Sequence, residues 1–267
     1  MLQYSDMVAK VLSPRDPRPV ELLKGDGASP FVLSCEHAGR AIPEIFGDLG
    51  VAPADMERHI AYDIGAEGVS RHLSRILDAT LILQRYTRLV VDCNRPFEAP
   101  DSMPVVSDGT AVPANAGLSE RARRQRFAEI QQPFHDTVAA VLDRRVQAGL
   151  PSVLISVHSF TPRLRGGPQR PWELGVLSNR DGSFAWRFLA VFQARHPAIV
   201  SAHNEPYVVN DASDYTIPVH GERRGLPHLL LEIRNDLIVD EAGQSRWAAM
   251  VAEALVAANA KGNIDGR

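Results

Sequence analysis

The chain has 267 residues, of which 45% are hydrophobic and 23% are charged, a composition typical of a globular protein with a sizeable buried core. A net charge of −3, without a strong basic patch, argues against nucleic acid as a partner. No apolar stretch approaches the roughly 18 residues that span a membrane, and the N-terminus lacks the apolar run of a secretory signal, so we expect a cytoplasmic protein.

Short apolar runs rich in β-branched residues alternate with longer helical patterns. The runs predict strands over residues 31–35, 80–83, 89–92, 152–157, 174–177 and 228–233. This alternation is typical of a mostly parallel sheet that is covered by helices on both faces. We therefore predict a three-layer α/β/α fold with a mixed, mostly parallel sheet, formed by one domain over residues 1–267. The oligomeric state has no signature in the sequence.

Helices and long loops separate the predicted strands. The first helix begins near Asp63, and the second begins at Ser119, whose side chain can cap it, and runs toward residue 149. Pro133 is expected to kink or split this second helix. Two later helices are predicted over residues 183–194 and 244–258. Long irregular stretches that are expected to be functional cover residues 94–118, 160–172 and 203–227.

Two histidines follow strands at distant points of the sequence. His37 comes just after the strand 31–35, and His158 comes directly after the strand 152–157. Because ligands and catalytic groups gather at the carboxyl ends of parallel strands, we expect the two imidazoles to converge. A catalytic zinc commonly has three protein ligands, often two His and one carboxylate, and keeps one position for water. The pattern therefore predicts a metal site, whereas two buried structural histidines are the alternative.

The third ligand of such a site would be a carboxylate, for which Asp63 and Glu36 are the candidates. We favour Asp63, because a side chain at the start of the next helix can face back toward the edge of the sheet. Glu36 adjoins His37, and neighbouring side chains on an extended strand point to opposite faces. The alternative for Asp63 is a simple N-cap of that helix.

A carboxylate is embedded in the apolar strand 228–233. Burial of a charge costs several kcal/mol unless the charge is paired or neutralised, so Glu232 needs a function. We predict that Glu232 is the general base, since a raised pKa suits proton transfer from a water beside the metal. A buried ion pair with Arg234 or Arg224 is the alternative.

Candidate substrate-binding residues lie around the predicted strand 89–92. Arg95 offers a guanidinium fork for a substrate carboxylate, and Asn94 can add a hydrogen bond. Arg88, at the start of the strand, can act in the same way. The alternative for each arginine is a solvated charge on the protein surface.

The two cysteines raise the alternative of an enzyme with a thiol nucleophile. Cys35 and Cys93 lie in apolar runs and form no C-x-x-C pair, but Cys35 lies near His37 and could act as a thiol nucleophile. Strand alternation places Cys35 on one buried face with Phe31 and Leu33, which favours inert packing.

These segments, taken together, resemble the N-formylglutamate amidohydrolase family along most of the chain. The matching segments are residues 34–39 (SCEHAG) with 42–43, 63–66 (DIGA), 88–96 (RLVVDCNRP), 157–160 (VHSF), 220 with 224, and 232–237 (EIRNDL). Members of that family are similar in fold to zinc carboxypeptidases and cell-wall amidases. The resemblance implies one Zn²⁺ ion, with His37, Asp63 and His158 as its ligands. It also implies that Glu232 is the catalytic residue of a late strand.

The resemblance also implies a substrate and a reaction. Asn94 and Arg95 resemble the Asn-Arg pair with which carboxypeptidases bind a terminal carboxylate, so a small acidic N-acyl amino acid is the expected partner. In the expected mechanism, His220 donates a hydrogen bond to the oxyanion. N-formyl-L-glutamate would be hydrolysed to formate and glutamate. Another N-acyl amino acid, a small peptide amide, or metal binding without turnover are the alternatives.

The chain departs from the carboxypeptidase pattern at one position. Carboxypeptidases have a glutamate three residues after the first histidine, whereas this chain has Arg40 there, which cannot bind zinc. The amidase-like arrangement, in which the acid lies at the start of the next helix, agrees better with Asp63.

Overall fold

The computed structural model describes residues 10–262. The strands are β1 (Val20–Leu23), β2 (Phe31–Cys35), β3 (Thr80–Gln84), β4 (Val106–Ser107), β5 (Thr110–Ala111), β6 (Val153–Phe160), β7 (Leu174–Leu177), β8 (Ser201–His203) and β9 (His228–Arg234). The α-helices are α1 (Pro53–Met56), α2 (Ala66–Leu77), α3 (Glu120–Arg126), α4 (Gln132–Gln147), α5 (Ser183–Arg195) and α6 (Glu241–Gly262). In this range, no helix combines the length and apolar character that crossing a membrane requires.

Seven of the strands form one sheet in the order β1-β3-β2-β6-β9-β7-β8. The pairs β2/β3, β2/β6, β6/β9 and β7/β8 are parallel, whereas β1/β3 and β7/β9 are antiparallel. Strands β4 and β5 form a separate hairpin. The sheet is therefore mixed and mostly parallel, as predicted. Because β2, β6 and β9 are parallel neighbours, their carboxyl ends lie at the same edge.

Helices cover both faces of this sheet. Val153 and Ile155 of β6 belong to an apolar cluster that includes buried residues of α2, α5 and α6. Leu154, between them, belongs to a second cluster that includes Phe134 and Val138 of α4. Alternate residues of one strand thus face different helix layers. This arrangement confirms the three-layer α/β/α fold.

The run 89–92, which was predicted as a strand, is irregular: a turn covers residues 88–90, and residues 91–92 belong to no strand. Leu89 and Val90 are fully buried, but side chains satisfy their carbonyl groups. The Leu89 carbonyl accepts a hydrogen bond from Asn115 Nδ2 (2.8 Å), and the Val90 carbonyl accepts one from Arg126 Nη1 (3.1 Å). These groups need no neighbouring strand, and an apolar run alone cannot distinguish a buried turn from a buried strand.

The long helical segment after residue 119 is capped and interrupted as predicted. Ser119 Oγ accepts a hydrogen bond from the backbone N–H of Ala122 (3.2 Å) at the start of α3. The π-helical turn Phe127–Gln131 separates α3 from α4. Pro133 follows this π-helical turn, in the first turn of α4, as expected for a proline that interrupts an otherwise continuous helix. The later helices are also confirmed, with wider bounds.

Helix α2 begins at Ala66 rather than near Asp63. Gly65 precedes the helix with a φ of 79°, a conformation that favours glycine. A Cβ atom at Gly65 would lie 2.1 Å from the carbonyl oxygen of Ile238, so the close approach also requires glycine. No side chain caps this helix. The interpretation of Asp63 as a simple N-cap is therefore wrong.

Candidate active site

The carboxyl ends of β2, β6 and β9 bring polar side chains together. His158 lies near the end of β6, in register with Glu232 on the neighbouring strand β9. His37 follows β2, and its carbonyl accepts a hydrogen bond from the backbone N–H of Asp63 (2.9 Å). This bond returns the chain to the same edge of the sheet before helix α2 begins.

His37, Asp63 and His158 form a buried cluster in which three ligand atoms converge. The Nδ1 atoms of the two histidines are 3.0 Å apart, and they lie 3.4 and 2.9 Å from Asp63 Oδ2. All three side chains are buried. Two imidazole nitrogens and one carboxylate oxygen are a common ligand set for catalytic zinc. These three residues could therefore hold one metal ion.

A second carboxylate orients each imidazole. His37 Nε2 lies 2.7 Å from Asp92 Oδ1, and His158 Nε2 lies 3.0 Å from Glu36 Oε2. An ionised carboxylate only accepts hydrogen bonds, so we assign the proton of each ring to Nε2, and both Nδ1 lone pairs face Asp63. Three electron-pair donors that face one another need a cation between them. The ligand set therefore fits a zinc ion, and carboxylates behind ligating histidines are usual at such sites.

The pKa values of the cluster reflect its surplus of negative charge. Burial alone would raise the pKa of Asp63, but the charges of His37 and His158 lower it. Burial likewise opposes the shift at Glu36, whose hydrogen bond with His158 lowers its pKa to about 2. Burial would lower the pKa of His158, but hydrogen bonds to Asp63 and Glu36 raise it well above its usual value. A proton and a metal ion would thus compete for the same nitrogen lone pair.

Arg88 binds two of the carboxylates of this site. Its Nη2 and Nε donate to Asp92 Oδ2 at 2.6 and 3.0 Å, and its Nη1 donates to Asp63 Oδ1 at 3.2 Å. The backbone N–H of Ser159 donates to the other oxygen of Asp63 (3.2 Å). The Asp63 carboxylate is therefore held in one orientation from two sides. The binding of a substrate carboxylate by Arg88 stays a prediction.

Glu232 is buried beside this cluster and forms no ion pair within residues 10–262. Its Oε2 has no hydrogen-bond partner among these residues. The two arginines considered as partners bind other groups, Arg224 with Asp143 and Arg234 with Asp236. Burial raises the pKa of Glu232 to about 8. A carboxyl group with such a pKa can exchange protons near neutral pH.

A cavity of about 270 Å³ opens onto these residues. The predicted site residues on its wall are His37, Asp63, Arg88, Asn94, Arg95, His158 and Glu232. The rest of the wall consists of His59, Ser159, Phe160, Leu177, Tyr207, Val208, Val209, Ser213, Asp214 and Leu230. The fold thus brings together residues that are far apart in sequence, and the cavity is the candidate substrate site.

Asn94 and Arg95 reach the cavity from a turn rather than from the end of a strand. Asn94 Oδ1 accepts hydrogen bonds from the backbone N–H groups of residues 215–216 at 3.2 and 3.1 Å. Its Nδ2 donates to Asp214 Oδ1 (3.1 Å), and Arg95 Nη1 donates to the carbonyl of Ser213 (2.6 Å). Both side chains therefore attach residues 213–216 to the part of the site that contains the metal-ligand cluster, which we call the metal-binding half.

His220 is the predicted site residue that the structure does not bring to the cavity wall. It lies in the π-helical turn Ile217–Gly221, and its Nε2 is 3.1 Å from His135 Nδ1. His135 Nε2 donates to the carbonyl of Cys93 (2.7 Å). Burial lowers the pKa of His220 to about 3, so its imidazole is neutral. The histidine pair supports the turn that carries Asn94, which differs from the predicted contact with an oxyanion.

Several residues of the site were missed or only partly recognised in the sequence. Asp92 and Glu36 orient the imidazoles, and the signal that could have found them is a carboxylate directly after an apolar run. His59 and Asp214 have no comparable pattern around them. Tyr207 and its apolar neighbours belong to the stretch 203–227, which was expected to be functional without any individual role.

The two thiol groups lie outside the cavity wall. Cys35 is fully buried in the apolar cluster that contains Phe31 and Leu33, as strand alternation predicts. Cys93 is also fully buried. Burial raises the pKa of both thiols, which disfavours the reactive thiolate. Both cysteines are therefore packed as buried apolar side chains and not as nucleophiles.

Comparisons with known sequences agree with the resemblance described above. A family model described as N-formylglutamate amidohydrolase matches residues 29–239. An N-formylglutamate deformylase of Pseudomonas putida is 28% identical over an alignment of 174 residues, and the match covers 57% of this chain and 61% of that protein. The match thus spans less than two thirds of the length of this relative.

Comparisons with solved structures support the fold. The crystal structure of a gene product of Agrobacterium tumefaciens is 35% identical, with a TM-score of 0.90 and 94% of this chain and 99% of that chain covered. An N-formylglutamate amidohydrolase from Ralstonia eutropha is 17% identical, with a TM-score of 0.65 and coverages of 90% and 97%. At that identity, the second likeness concerns the fold alone. Because the family model matches most of its length, this chain belongs to the N-formylglutamate amidohydrolase family.

Proposed function

We propose that this protein is a zinc-dependent amidohydrolase that cleaves the amide bond of an N-acyl amino acid. The family name and the Pseudomonas putida relative point to N-formyl-L-glutamate, whose hydrolysis gives formate and glutamate. The observation that carries the proposal is the convergence of His37, Asp63 and His158 on one point, beside the carboxyl group of Glu232, which forms no ion pair with any of residues 10–262. Other N-acyl amino acids and small peptide amides would use the same residues.

One Zn²⁺ ion would be held by His37, Asp63 and His158. When bound, zinc polarises a carbonyl group and lowers the pKa of a nearby water toward about 7. The carboxylates of Asp92 and Glu36 keep the two Nδ1 atoms turned toward the ligand position. This support from behind the ligands distinguishes the cluster from a chance group of histidines and acids.

Glu232 would act first as a general base and then as a general acid. Its carboxylate takes one proton from the attacking water while the water oxygen bonds to the amide carbon. It then delivers this proton to the amide nitrogen as the carbon–nitrogen bond breaks. The products are the carboxylic acid and the free amine. The raised pKa of Glu232 supports this role, because the group must hold the proton between the two steps.

Arg95 and Asn94 would orient the substrate through its carboxylate. Both side chains line the cavity, and a guanidinium group binds a carboxylate with two parallel donors. Arg88 already binds Asp63 and Asp92, so we propose that its main contribution is to orient these carboxylates. To bind the substrate as well, Arg88 would have to donate to a third carboxylate.

The organisation of the chain and its location are part of the proposal. We propose one domain over residues 1–267, because strands from residue 20 to residue 234 join one sheet. Residues 1–9 and 263–267 lie outside the described part of the chain. The cytoplasmic location stays a prediction.

Formate release from N-formyl-L-glutamate tests the proposed function. The zinc-loaded protein is expected to release formate, and dialysis against a chelator is expected to remove zinc and activity together. Added zinc should restore both. A panel of other N-acyl amino acids separates the substrate alternatives. Activity that survives complete removal of the metal would contradict zinc dependence, and bound zinc without turnover of any compound would favour a metal-binding protein.

A further inference from the structure

One part of the cavity wall is apolar. It contains Phe160, Leu177, Val209 and Leu230. Leu177 and Leu230 are paired in register on the neighbouring strands β7 and β9. Leu230 lies two residues before Glu232 on the same strand, so both side chains are on the same face of the sheet. The apolar surface therefore begins directly beside the proposed general base.

The permanent positive charges on the wall are the guanidinium groups of Arg88 and Arg95. All three nitrogens of Arg88 donate to carboxylates of the metal cluster. Arg95 donates from Nε to Asp101 and from Nη1 to a backbone carbonyl, and its Nη2 has no acceptor among residues 10–262. The wall therefore offers one guanidinium group that can bind a substrate carboxylate without giving up a protein partner.

Asp214 adds negative charge to the same wall. Its Oδ1 accepts a hydrogen bond from Asn94 Nδ2 (3.1 Å), and its Oδ2 accepts bonds from the Asn210 N–H (3.1 Å) and Ser213 Oγ (2.8 Å). These donors are neutral, so they do not cancel the charge. Among residues 10–262, no Lys or Arg besides Arg88 and Arg95 lines this cavity, so a second substrate carboxylate would meet Asp214 without a further cation on the wall. Burial of an unpaired charge is strongly unfavourable.

We propose that the preferred substrate has a single carboxylate and an apolar substituent next to the scissile amide. This inference rests on the proposed amidohydrolase function and narrows its substrate class. Arg95 binds the carboxylate, and Leu177, Val209 and Leu230 contact the apolar substituent. N-formyl-L-glutamate has two carboxylates at neutral pH and is therefore a poorer substrate for this chain. Either the amino acid side chain or the acyl group can carry the apolar substituent.

Three compounds test the proposal on the zinc-loaded protein. N-formyl-L-leucine and N-pentanoylglycine are isomers that carry the apolar group on opposite sides of the amide, whereas N-formyl-L-glutamate carries a second carboxylate. At least one isomer is expected to exceed N-formyl-L-glutamate in kcat/KM by about tenfold or more. The better isomer identifies the side of the amide that contacts the apolar wall. An equal or higher kcat/KM for N-formyl-L-glutamate would overturn the proposal.

Calorimetric binding of the same compounds separates this proposal from the proposed function. If none of the three is hydrolysed, the proposed function fails for these substrates, and the binding affinities still decide the present proposal. Tighter binding of either apolar isomer than of N-formyl-L-glutamate supports it. Every other ranking, including no binding of any compound, overturns it.

A pair of matched variants tests the role of charge in the wall. Val208 lines the cavity and is 61% exposed, so we expect Val208→Arg to fold. The new cation should raise the kcat/KM ratio of N-formyl-L-glutamate to N-formyl-L-leucine about tenfold. Val239 is 63% exposed and lies outside the wall, so Val239→Arg adds the same charge elsewhere and should leave the ratio unchanged. Equal ratios in the two variants would contradict the proposal.

Discussion

The two halves of the candidate site differ in how they are held. In the metal-binding half, the side chains of His37, His158 and Asp63 are buried, and each contacts a further charged side chain. The opposite half comes largely from residues 207–214, where Val208 is 61% exposed. A rigid, charge-paired half suits chemistry that requires fixed geometry, whereas a more exposed loop can vary without loss of the fold. We infer that the metal-binding half determines the reaction and that the opposite side of the cavity, which includes this loop, selects the substrate.

Loss of a metal ligand should disable the metal-binding half completely. His158→Ala is expected to bind almost no zinc and to release no measurable formate, because the two remaining ligands hold the ion weakly. Elemental analysis and the formate assay on the same sample measure this. His203→Ala removes an imidazole outside the cavity wall and should retain both zinc and activity. Normal zinc content in His158→Ala would contradict the assigned ligand set.

Replacement of the general base should separate chemistry from metal binding. Glu232→Gln is expected to lower kcat by about 10²–10⁴-fold with unchanged zinc content, because an amide of the same shape cannot accept the proton. Glu253→Gln, which changes an exposed glutamate, is the control. A decrease of less than tenfold in kcat would argue that another group accepts the proton.

Removal of the charge behind one ligand should have an intermediate effect. Asp92→Asn is expected to weaken zinc binding by about 10–100-fold, because His37 and Arg88 lose their anionic partner. Competition with a chromophoric chelator measures the affinity. Asp101→Asn removes a carboxylate that pairs with Arg95 outside the metal cluster, and it should leave zinc affinity unchanged. Equal affinities in the two variants would show that the charge of Asp92 is not needed.

The pH profile should report the ionisation of Glu232. The base must be deprotonated, so kcat/KM should fall by about tenfold per pH unit below the pKa of this group. Burial raises that pKa from 4.5 to about 8, and a cation beside the group lowers it, so the acid limb should lie between these values. Zinc content is measured at each pH as a control. A flat profile between pH 4 and 8 at constant zinc would exclude Glu232 as the base.

Detachment of the loop should have the smallest effect. Asn94→Ala removes the hydrogen bonds to residues 215–216 and to Asp214. We expect KM to rise about 3–10-fold with little change in kcat, and amide exchange of residues 210–216 to become faster. Zinc content should stay normal, because no ligand contacts this side chain directly. A large loss of kcat with unchanged KM would place Asn94 in the chemical step.

The sequence was most informative where function coincides with position on a strand. His37 and His158 were predicted to converge because both follow strands that are parallel in the sheet, and Glu232 was noted because it interrupts an apolar run. The register of β6 and β9 explains why such reasoning succeeds, since it places His158 next to Glu232. Their catalytic and metal-binding roles stay predictions.

Features that depend on hydrogen bonds between distant segments could not be predicted from the sequence. Residues 89–92 looked like a strand, yet Asn115 and Arg126 pair with their carbonyl groups. His220 was expected near the substrate, but it lies outside the cavity wall and contacts His135, which in turn donates to the carbonyl of Cys93. Neither contact has a local sequence signal, because each partner is distant in the chain.

Zinc titration of the chelator-treated protein tests the central claim most directly. Formate release from the best N-formyl substrate should rise linearly with added zinc and level off at one equivalent per chain, as expected for one ion at His37, Asp63 and His158. Full activity before any zinc is added, or a plateau only at two equivalents, would contradict a single catalytic ion at this cluster.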